Sequence, residues 1–488
     1  MADFEILESM LREGKIGPVR QSLRKVRLSE VPRHEAVRLA NIARRAGLST
    51  LSVKLLNPIV RADKNLTRRA NEAERAEYAA ALTQIGARSE ALQLLESLDP
   101  VKNIETLLFR SFAHFGEWMY AKAVPLLETY IARHPVAYQK LVGKVNLAAA
   151  LVWESRLEEA QKLLADIISD ARAGGFGRLH ANALELRAQL YILKYKYTQA
   201  ERDLDAASKL LKEASVLDDF FVMKWKTLLS VQSRATRSVI EGFARLKEEA
   251  LKRKHWETVR DSDFYLARFK SDLDLFTHLY HGTPFESFRR RIEGNLARGQ
   301  KIPTFYSWSL KRGASGAPSL NLRRGETSAG AKMKVGQLQH RMITALAADF
   351  YRPVRTATLF SVLFPREFYN PQSSPHRVHQ NSLRLRSWLG ENGIPLQIEA
   401  GPSGYRLVAS GPVVLISELG EGPRSRAEEL LARAREVFGA GSFGTQELVS
   451  VSGLSKRTVL RFLDEAKASG ELEVAAGGRS TRYRFKSG

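Results

Sequence analysis

Apolar residues recur at helical spacing through the first 300 residues of the chain. From Glu5 to Leu296 they fall at positions i, i+3, i+4 and i+7, which places them along one face of a helix. Glycine and proline are concentrated at the joints between these runs, where one helix ends and the next begins. The pattern predicts that residues 1–300 form an all-helical domain.

Short turns in this region carry a weak internal repeat. A small residue follows an aromatic or long side chain by three positions at Tyr120/Ala123, Leu157/Ala160 and Tyr197/Ala200. Apolar residues follow each alanine after four and seven positions, as Leu127 and Tyr130, Leu164 and Ile167, and Leu204 and Ala207. The small residue lets two helices approach closely, and the later pair would face the next repeat. This arrangement resembles tetratricopeptide repeats, and the resemblance implies a solenoid whose concave surface binds a protein partner or a second copy of the chain. The alternative is that the repeats serve only as a structural spacer.

The pattern changes after Gln300. The segments FYSWSL, SLNLRRGE and AKMKV are typical of short strands joined by turns. Helical spacing returns over Leu338–Phe350 and Thr356–Phe364, and a third helix is predicted over Ser374–Gly390. PLQIEA and GYRLVA then form a hairpin, so the predicted order is a small sheet, three helices and two strands.

The third helix and the hairpin carry a second resemblance. HRVHQNSLRLRSWLGENG, with its Leu385-Arg386 pair, and PLQIEAGPSGYRLV, with its Gly404-Tyr405-Arg406, follow a sheet as in the OmpR/PhoB-type winged helix of response regulators. The resemblance implies a winged-helix domain over residues 303–416, which either contacts DNA or serves as a packing or dimerisation platform.

The third helix has two distinct faces. Val378, Ser382, Leu385 and Leu389 share the face expected to pack inward. The opposite face would meet bases in the major groove. The DNA-contacting residues expected in this domain are His376, Arg377, Gln380, Arg384 and Arg406.

A helix-turn-helix pattern follows in GTQELVSVSGLSKRTVLRFLDEAKASG. Thr445 is expected to cap a helix over residues 446–451, Gly453 to supply a left-handed turn, and Ser455 to cap the next helix. In that second helix a buried stripe is predicted at Val459, Phe462, Leu463 and Ala466. Its opposite side carries Arg457 and Arg461.

The last segment, ELEVAAGGRSTRYRF, alternates as a two-stranded wing. Leu472, Val474, Tyr483 and Phe485 are predicted to point inward, around a turn at Gly477-Gly478-Arg479. The Gly-Leu-Ser turn and Gly-Gly-Arg wing resemble winged helices of bacterial regulators, which implies a second such domain over residues 424–488. The DNA-contacting residues expected here are Ser455, Lys456, Arg457, Thr458, Arg461, Arg479, Arg482 and Arg484.

Charge favours a polyanionic partner. The chain has 76 Lys and Arg against 53 Asp and Glu, a formal charge of +23. No run of 18 apolar residues and no signal-peptide pattern occurs, so we expect a cytoplasmic protein without a membrane partner. The absence of cysteine excludes disulfides, thiolate zinc sites and cysteine nucleophiles.

Several patterns that resemble chemical motifs have simpler interpretations. Gly439, Gly441 and Gly444 spell a dinucleotide fingerprint, but a helix rather than a strand precedes them. His376 and His379 lack a further ligand for a metal. We therefore expect no enzyme activity, cofactor or metal. Aromatic residues of the helical region favour inter-helix packing over a ligand cage; they are Trp118, Trp153, Trp225, Trp256, Tyr191, Tyr195 and Tyr197.

The predicted fold class is mainly α, with an N-terminal helical-repeat solenoid followed by two α+β winged-helix domains. The leading functional hypothesis is a transcription regulator that binds duplex DNA through both winged helices, while the repeats bind a protein partner or dimerise. The alternative is a protein-interaction adaptor whose winged helices mediate protein contacts. RNA binding is a third hypothesis.

Overall fold

A computed structural model gives the fold of the 488-residue chain. It describes residues 4–12, 15–61, 70–212, 216–230, 236–310, 316–418, 426–468, 471–476 and 481–486. The chain divides into two compact units. We call the first the body unit; it comprises Met1–Tyr306, Leu346–Gln380 and Ile398–Val408. The second is the tail unit, comprising Ser307–Ala345, Asn381–Gln397 and Ala409–Gly488.

The N-terminal part of the chain is helical throughout its described residues, as the hydrophobic spacing predicts. Apart from a short 3₁₀ turn at Leu28–Glu30, its elements are α-helices. They are α1 (Phe4–Arg12), α2 (Ile16–Arg24), α3 (Arg33–Arg45), α4 (Ser49–Val60), α5 (Glu72–Ile85), α6 (Arg88–Glu96), α7 (Glu105–Gly116), α8 (Tyr120–Arg133), α9 (Ala137–Trp153), α10 (Leu157–Ala173), α11 (Gly177–Leu193), α12 (Tyr197–Lys212), α13 (Val216–Leu229), α14 (Thr236–Lys252), α15 (Trp256–Lys270), α16 (Leu273–His281) and α17 (Glu286–Glu293).

The helical repeat is confirmed by where the helices begin and what they bury. α8, α10 and α12 start at Tyr120, Leu157 and Tyr197, the first residues of the three sequence pairs. The marker alanines and the residues four and seven positions after them have no exposed surface. Consecutive helices pack on one another, and α9 also packs on α11 and α11 on α13. Alternate helices therefore form one layer of a repeat array.

A mixed α+β region follows the helical repeats. Its first part contains β1 (Phe305–Leu310), β2 (Ser319–Asn321), β3 (Glu326–Thr327), α18 (Leu338–Leu346), α19 (Thr356–Leu363), α20 (Ser374–Glu391), β4 (Leu396–Gly401), β5 (Gly404–Ala409) and β6 (Val413–Glu418). Four strands form a sheet in the order β1-β6-β2-β3, with β2 parallel to β6 and antiparallel to β3. β4 and β5 form a separate two-stranded sheet.

Two predictions for this part were wrong, and one strand was missed. AKMKV forms no strand, and Lys332 makes only an isolated bridge to Glu326. α18 ends at Leu346 rather than Phe350, since the Asp349 side chain accepts the backbone N–H groups of Tyr351 and Arg352 and so forms a turn. β6 was not predicted as a strand of its own.

The chain ends with three helices and a three-stranded sheet. These are α21 (Arg426–Phe438), β7 (Phe443–Gly444), α22 (Thr445–Ser452), α23 (Lys456–Ala468), β8 (Leu472–Ala476) and β9 (Arg482–Phe485). The strand order is β7-β9-β8, and both strand pairs are antiparallel. The predicted stripe of α23 lies in a core with Leu448 of α22 and Phe443 of β7.

The turn between α22 and α23 forms largely as predicted. Gly453 adopts the left-handed conformation (φ 65°), and the Ser455 hydroxyl accepts the backbone N–H of Thr458 at 3.3 Å. The predicted cap at Thr445 was wrong. α22 begins at Thr445 itself, and the Glu447 carboxylate accepts the N–H of the preceding Gly444 at 2.6 Å.

One predicted inward residue of the wing lies outward. Val474 is 46% exposed, while Leu472, Tyr483 and Phe485 are buried. The pairing of β8 with β9 shifts register between Val474 and Ala476, and such a bulge breaks the strict alternation of side chains.

In the described part of the chain, no helix combines the length and the apolar character needed to cross a membrane. Its His, Asp and Glu side chains form no cluster of three or more that could hold a metal ion.

Candidate interaction surfaces

The outer face of α23 carries a cluster of positive charge. Lys456, Arg457 and Arg461 are exposed, and the guanidinium of Arg461 lies 5.0 Å from the ring centre of Phe462. Ser455 is exposed and Thr458 half-buried, and their hydroxyls are 2.8 Å apart. Among the described residues, no ion pair engages Lys456 or Arg457. The face therefore presents these cations at the protein surface.

The two arginines of β9 are held within the tail unit. Arg482 donates to the Ser442 carbonyl at 2.6 Å and pairs with Glu447 at 3.2 Å, while Arg484 pairs with Glu473 at 2.6 Å. Their charges are thus partly neutralised inside the protein. Arg479 lies outside the described residues.

On α20 the structure separates the two predicted faces. Val378, Ser382, Leu385 and Leu389 have no exposed surface. His376, Gln380 and Arg384 are exposed at intervals of four residues, so they follow one another along a single face.

The other two residues predicted to contact DNA in this part of the chain already form ion pairs. Arg377 donates to the Glu367 carboxylate, and its guanidinium lies 3.8 Å from the ring centre of Phe364. Arg406 donates to Glu399 of the adjacent strand at 2.6 Å. Both cations already have a partner, so His376, Gln380 and Arg384 are the predicted residues most open to a ligand.

Residues 346–380 belong to the body unit and are bound to its repeat helices. Arg355 donates to the carbonyl of Gln84, and the Thr358 hydroxyl donates to the carbonyl of Gly86 at 3.0 Å. Further along, the N–H of Tyr369 donates to the Glu90 carboxylate at 2.8 Å. The turn between α5 and α6 therefore forms a docking point for α19.

The second attachment of this segment is a buried charge cluster on α15. Arg260 has no exposed surface and donates to Asp349 at 2.6 Å and to Glu257 at 2.8 Å. The hydroxyl of Tyr351 donates to Asp263 at 3.0 Å, and burial followed by the charge of Asp263 raises the pKa of that tyrosine. These buried ion pairs hold together the segments that supply them, although the Nε atom of Arg260 has no hydrogen-bond partner among the described residues.

A large groove opens between the helices of the body unit. Its volume is about 1100 Å³, and its lining runs from the turn before α8 to α17. The aromatic side chains in that lining include Trp118, Tyr120, Trp153, Tyr195, Tyr197, Trp225, Tyr265, Phe269 and Phe285.

Some of these rings pack together while others face solvent. Tyr120 stacks on Trp153 with ring centres 5.5 Å apart, and Trp118 stacks on Phe285 at 5.6 Å. The packing interpretation is confirmed for Trp118 and Trp153. Tyr195, in contrast, is 71% exposed.

Two further apolar groove residues were missed in the sequence. Met119 is 42% and Leu193 44% exposed, and both line the groove. Met119 lies in a turn, as Tyr195 does, where an apolar side chain has no helix face to cover. Its position in a turn was the sequence signal that could have identified Met119 as a groove residue.

A half-buried arginine forms the polar part of the groove. Arg291 lies within 4.1 Å of the ring centre of Phe264 and 4.9 Å of that of Trp153, and it donates to the hydroxyl of Tyr265 at 2.9 Å. Its nearest carboxylate, Asp261, is 3.7 Å away. A cation close to aromatic faces is attracted to their π-electrons.

No family model matches the chain, and no curated protein matches it. Among solved structures, the chain is similar to a Rap protein complexed with competence and sporulation factor, with a TM-score of 0.40 and 11% identity over 60% of this chain and 85% of that one. It is also similar to the apo form of RapI, with a TM-score of 0.33 and 12% identity over 60% of this chain and 92% of that one. Both TM-scores are below 0.5, and neither structure assigns a function to this chain.

Proposed function

We propose that this protein is a regulatory interaction protein whose helical repeats bind a polypeptide segment in the aromatic groove. The observation that carries the proposal is the exposure of three large apolar side chains, Met119, Leu193 and Tyr195, in one concave surface. Exposed apolar groups gathered in a concave site mark a binding surface rather than ordinary solvent exposure.

The size of the groove favours a polypeptide over a small molecule. Pockets for small ligands usually measure about 300–1,000 Å³, and this groove, at about 1100 Å³, lies above that range. Repeat arrays bind extended partners because their concave face runs across several repeats. Aromatic rings offer such a partner a large contact area at a small cost in side-chain entropy.

Selection of peptides against the full chain tests this proposal. We expect a random peptide library displayed on phage to yield binders whose affinity falls about tenfold in Tyr195→Ser and in Met119→Ser, since each variant removes an apolar contact. In Tyr195→Ser the backbone accepts serine, because Ser155 occupies the equivalent position of another turn. Val101→Ser is the matched control, because Val101 is 80% exposed and lies outside the groove. Equal affinity in all variants, or no enrichment, would contradict the proposal.

A second candidate function is DNA binding by the tail unit. The observation that favours it is the basic face of α23, with Lys456, Arg457 and Arg461 exposed beside the Ser455 cap. In this interpretation α21–α23 and β7–β9 form a winged helix, α23 enters the major groove, and Arg482 and Arg484 lie near phosphates. The exposed face of α20 would add contacts from the first winged helix.

Together the two proposals describe a transcription regulator whose repeats respond to a polypeptide. Duplex-DNA binding by the full chain, with and without the α23 arginines, tests the second part. If that binding is absent while peptide binding holds, the protein is an adaptor whose C-terminal region contacts proteins.

A further inference from the structure

A second, smaller cavity of the body unit is lined by arginines. Its volume is about 420 Å³, and Arg44, Arg88, Arg352 and Arg355 all lie in its wall, with no aspartate or glutamate among the lining residues. It is separate from the aromatic groove, with which it shares no lining residue. A concentration of one charge in a half-enclosed space attracts the opposite charge.

The four arginines are not equally compensated. Arg44 makes a bidentate pair with Glu77, at 2.5 and 3.1 Å, and Arg88 donates one nitrogen to Glu117 at 2.8 Å. Arg352 approaches its nearest carboxylate, on Glu257, only to 3.8 Å, beyond hydrogen-bond distance. Arg355 is bound through the uncharged carbonyl of Gln84. Among the described residues, these last two guanidiniums have no carboxylate within hydrogen-bond distance.

Two further signs show that the cavity lacks negative charge. The Nε atom of Arg88 is buried and has no hydrogen-bond partner among the described residues. Burial and the charges of Arg352 and Arg88 lower the pKa of Arg355 to about 10. Burial and Arg88 also lower the pKa of Arg352. Like charges held together in this way are destabilising unless an anion lies between them.

We propose that this cavity binds a small phosphate-bearing metabolite, held by Arg88, Arg352 and Arg355. Guanidinium groups suit phosphate because their planar donors form paired hydrogen bonds with its oxygens. The volume lies within the range of small-ligand pockets. Phe109 and Phe112 supply apolar wall for the organic part of the ligand, and Arg44 covers one face of Phe109 at 5.0 Å.

The site joins two distant parts of the chain. Arg88 belongs to α6, whereas Arg352 and Arg355 belong to the segment that carries α19. A ligand between them would therefore strengthen the attachment of that segment to the repeats. This cavity is a separate site from the peptide groove, so ligand binding in the cavity does not depend on peptide binding in the groove.

Calorimetric titration of the full chain with inorganic phosphate, pyrophosphate and adenosine monophosphate tests the proposal. We expect saturable binding at one site, with a rise in melting temperature on binding. Arg355→Gln should weaken binding at least tenfold, while its amide can still donate to Gln84. The variant without ligand should melt at an equal or higher temperature, because a repelling charge has been removed.

Arg298→Gln is the matched control, since Arg298 is exposed and outside the cavity. It removes the same charge and should bind as the unmodified chain does. Tighter binding of adenosine monophosphate than of phosphate would assign the aromatic wall to the organic part. Binding that is not saturable, or that falls equally in both variants, would overturn the proposal, because it would reflect net charge alone.

Discussion

Non-glycine residues in the left-handed backbone region mark the turns of the helical repeat. Trp118, Ser155, Tyr195 and Lys254 have φ between 56° and 59°, and each lies two residues before the next helix. An L-residue in this conformation costs about 1 kcal/mol or more relative to glycine. At Trp118 and Tyr195 the side chain lines the groove, so the cost would accompany the proposed binding role. At Lys254 the side chain is exposed and no such role is evident.

Replacing Lys254 with glycine is therefore expected to stabilise the protein. The free energy of unfolding should rise by several tenths to about 1 kcal/mol in Lys254→Gly and fall by a similar amount in Lys254→Val, which is β-branched. Urea denaturation followed by circular dichroism measures both. Ala244→Gly is the control within α14, because Ala244 is exposed in the helix interior, where glycine lowers helix stability by about 1 kcal/mol. Stabilisation by both glycine variants would disprove the role of the turn conformation.

At the scale of elements, α15 shows that hydrophobic periodicity predicts a helix more readily than the residues that pack around it. Arg260, Asp261 and Asp263 are all buried, although the segment WETVRDSDFYLARFK suggests a half-solvated helix. Their partners are Asp349, Lys224 and Lys247, which lie 89, 37 and 16 residues away in sequence. Local spacing predicts the helix, but only the folded chain shows that these charges meet inside it.

The pair of Lys224 and Asp261 joins α13 to α15. Burial alone would raise the pKa of Asp261, yet the charges of Lys224 and Arg291 outweigh it and hold the pKa below its ordinary value. The carboxylate is therefore ionised at neutral pH, and its contribution to stability is lost as pH falls through that lowered pKa.

Lys224→Met should lower the free energy of unfolding by about 3–5 kcal/mol at pH 7, because a buried carboxylate loses its closest partner. In the variant, burial raises the pKa of Asp261, so protonation relieves the charge and the deficit should narrow between pH 7 and pH 5. Lys226→Met is the control on the same helix. Its pair with Asp205 is exposed, and its loss should cost less than about 1 kcal/mol. A deficit that does not change with pH would attribute the loss to packing instead.

The candidate surfaces were predictable to different extents. The inward stripes of α20 and α23 follow from 3.6-residue spacing, because that spacing fixes which side chains share a face. The pairing of Arg377 with Glu367 and of Arg406 with Glu399 was not foreseen, since it depends on loop and strand geometry. The arginine-lined cavity could not be predicted either, because Arg44 and Arg355 meet only in the folded body unit.

At the scale of the whole molecule, contacts and periodicity divide the chain differently. The predicted boundary near residue 303 follows from a change of spacing, which detects new elements but not where they pack. Residues 346–380 and 398–408 belong to the body unit by contact. The domain limits 1–300, 303–416 and 424–488 stay predictions, and proteolysis of the full chain would show which segments separate.

The net charge of +23 makes DNA affinity alone a weak test of the α23 proposal, because any basic protein binds phosphates. The logarithm of the DNA affinity should fall linearly with the logarithm of the salt concentration for every DNA sequence. If α23 reads the base sequence, more is expected. On a DNA site selected for tight binding, Arg457→Ala and Arg461→Ala should each cost about 1–3 kcal/mol of binding free energy, and their effect on random duplex should be smaller. Arg433→Ala removes the same charge from an exposed position on α21 and should weaken both kinds of duplex equally. Mobility-shift assays across a series of salt concentrations measure these affinities. If all three variants lose affinity to the same degree on every DNA sequence, α23 contributes charge without base recognition.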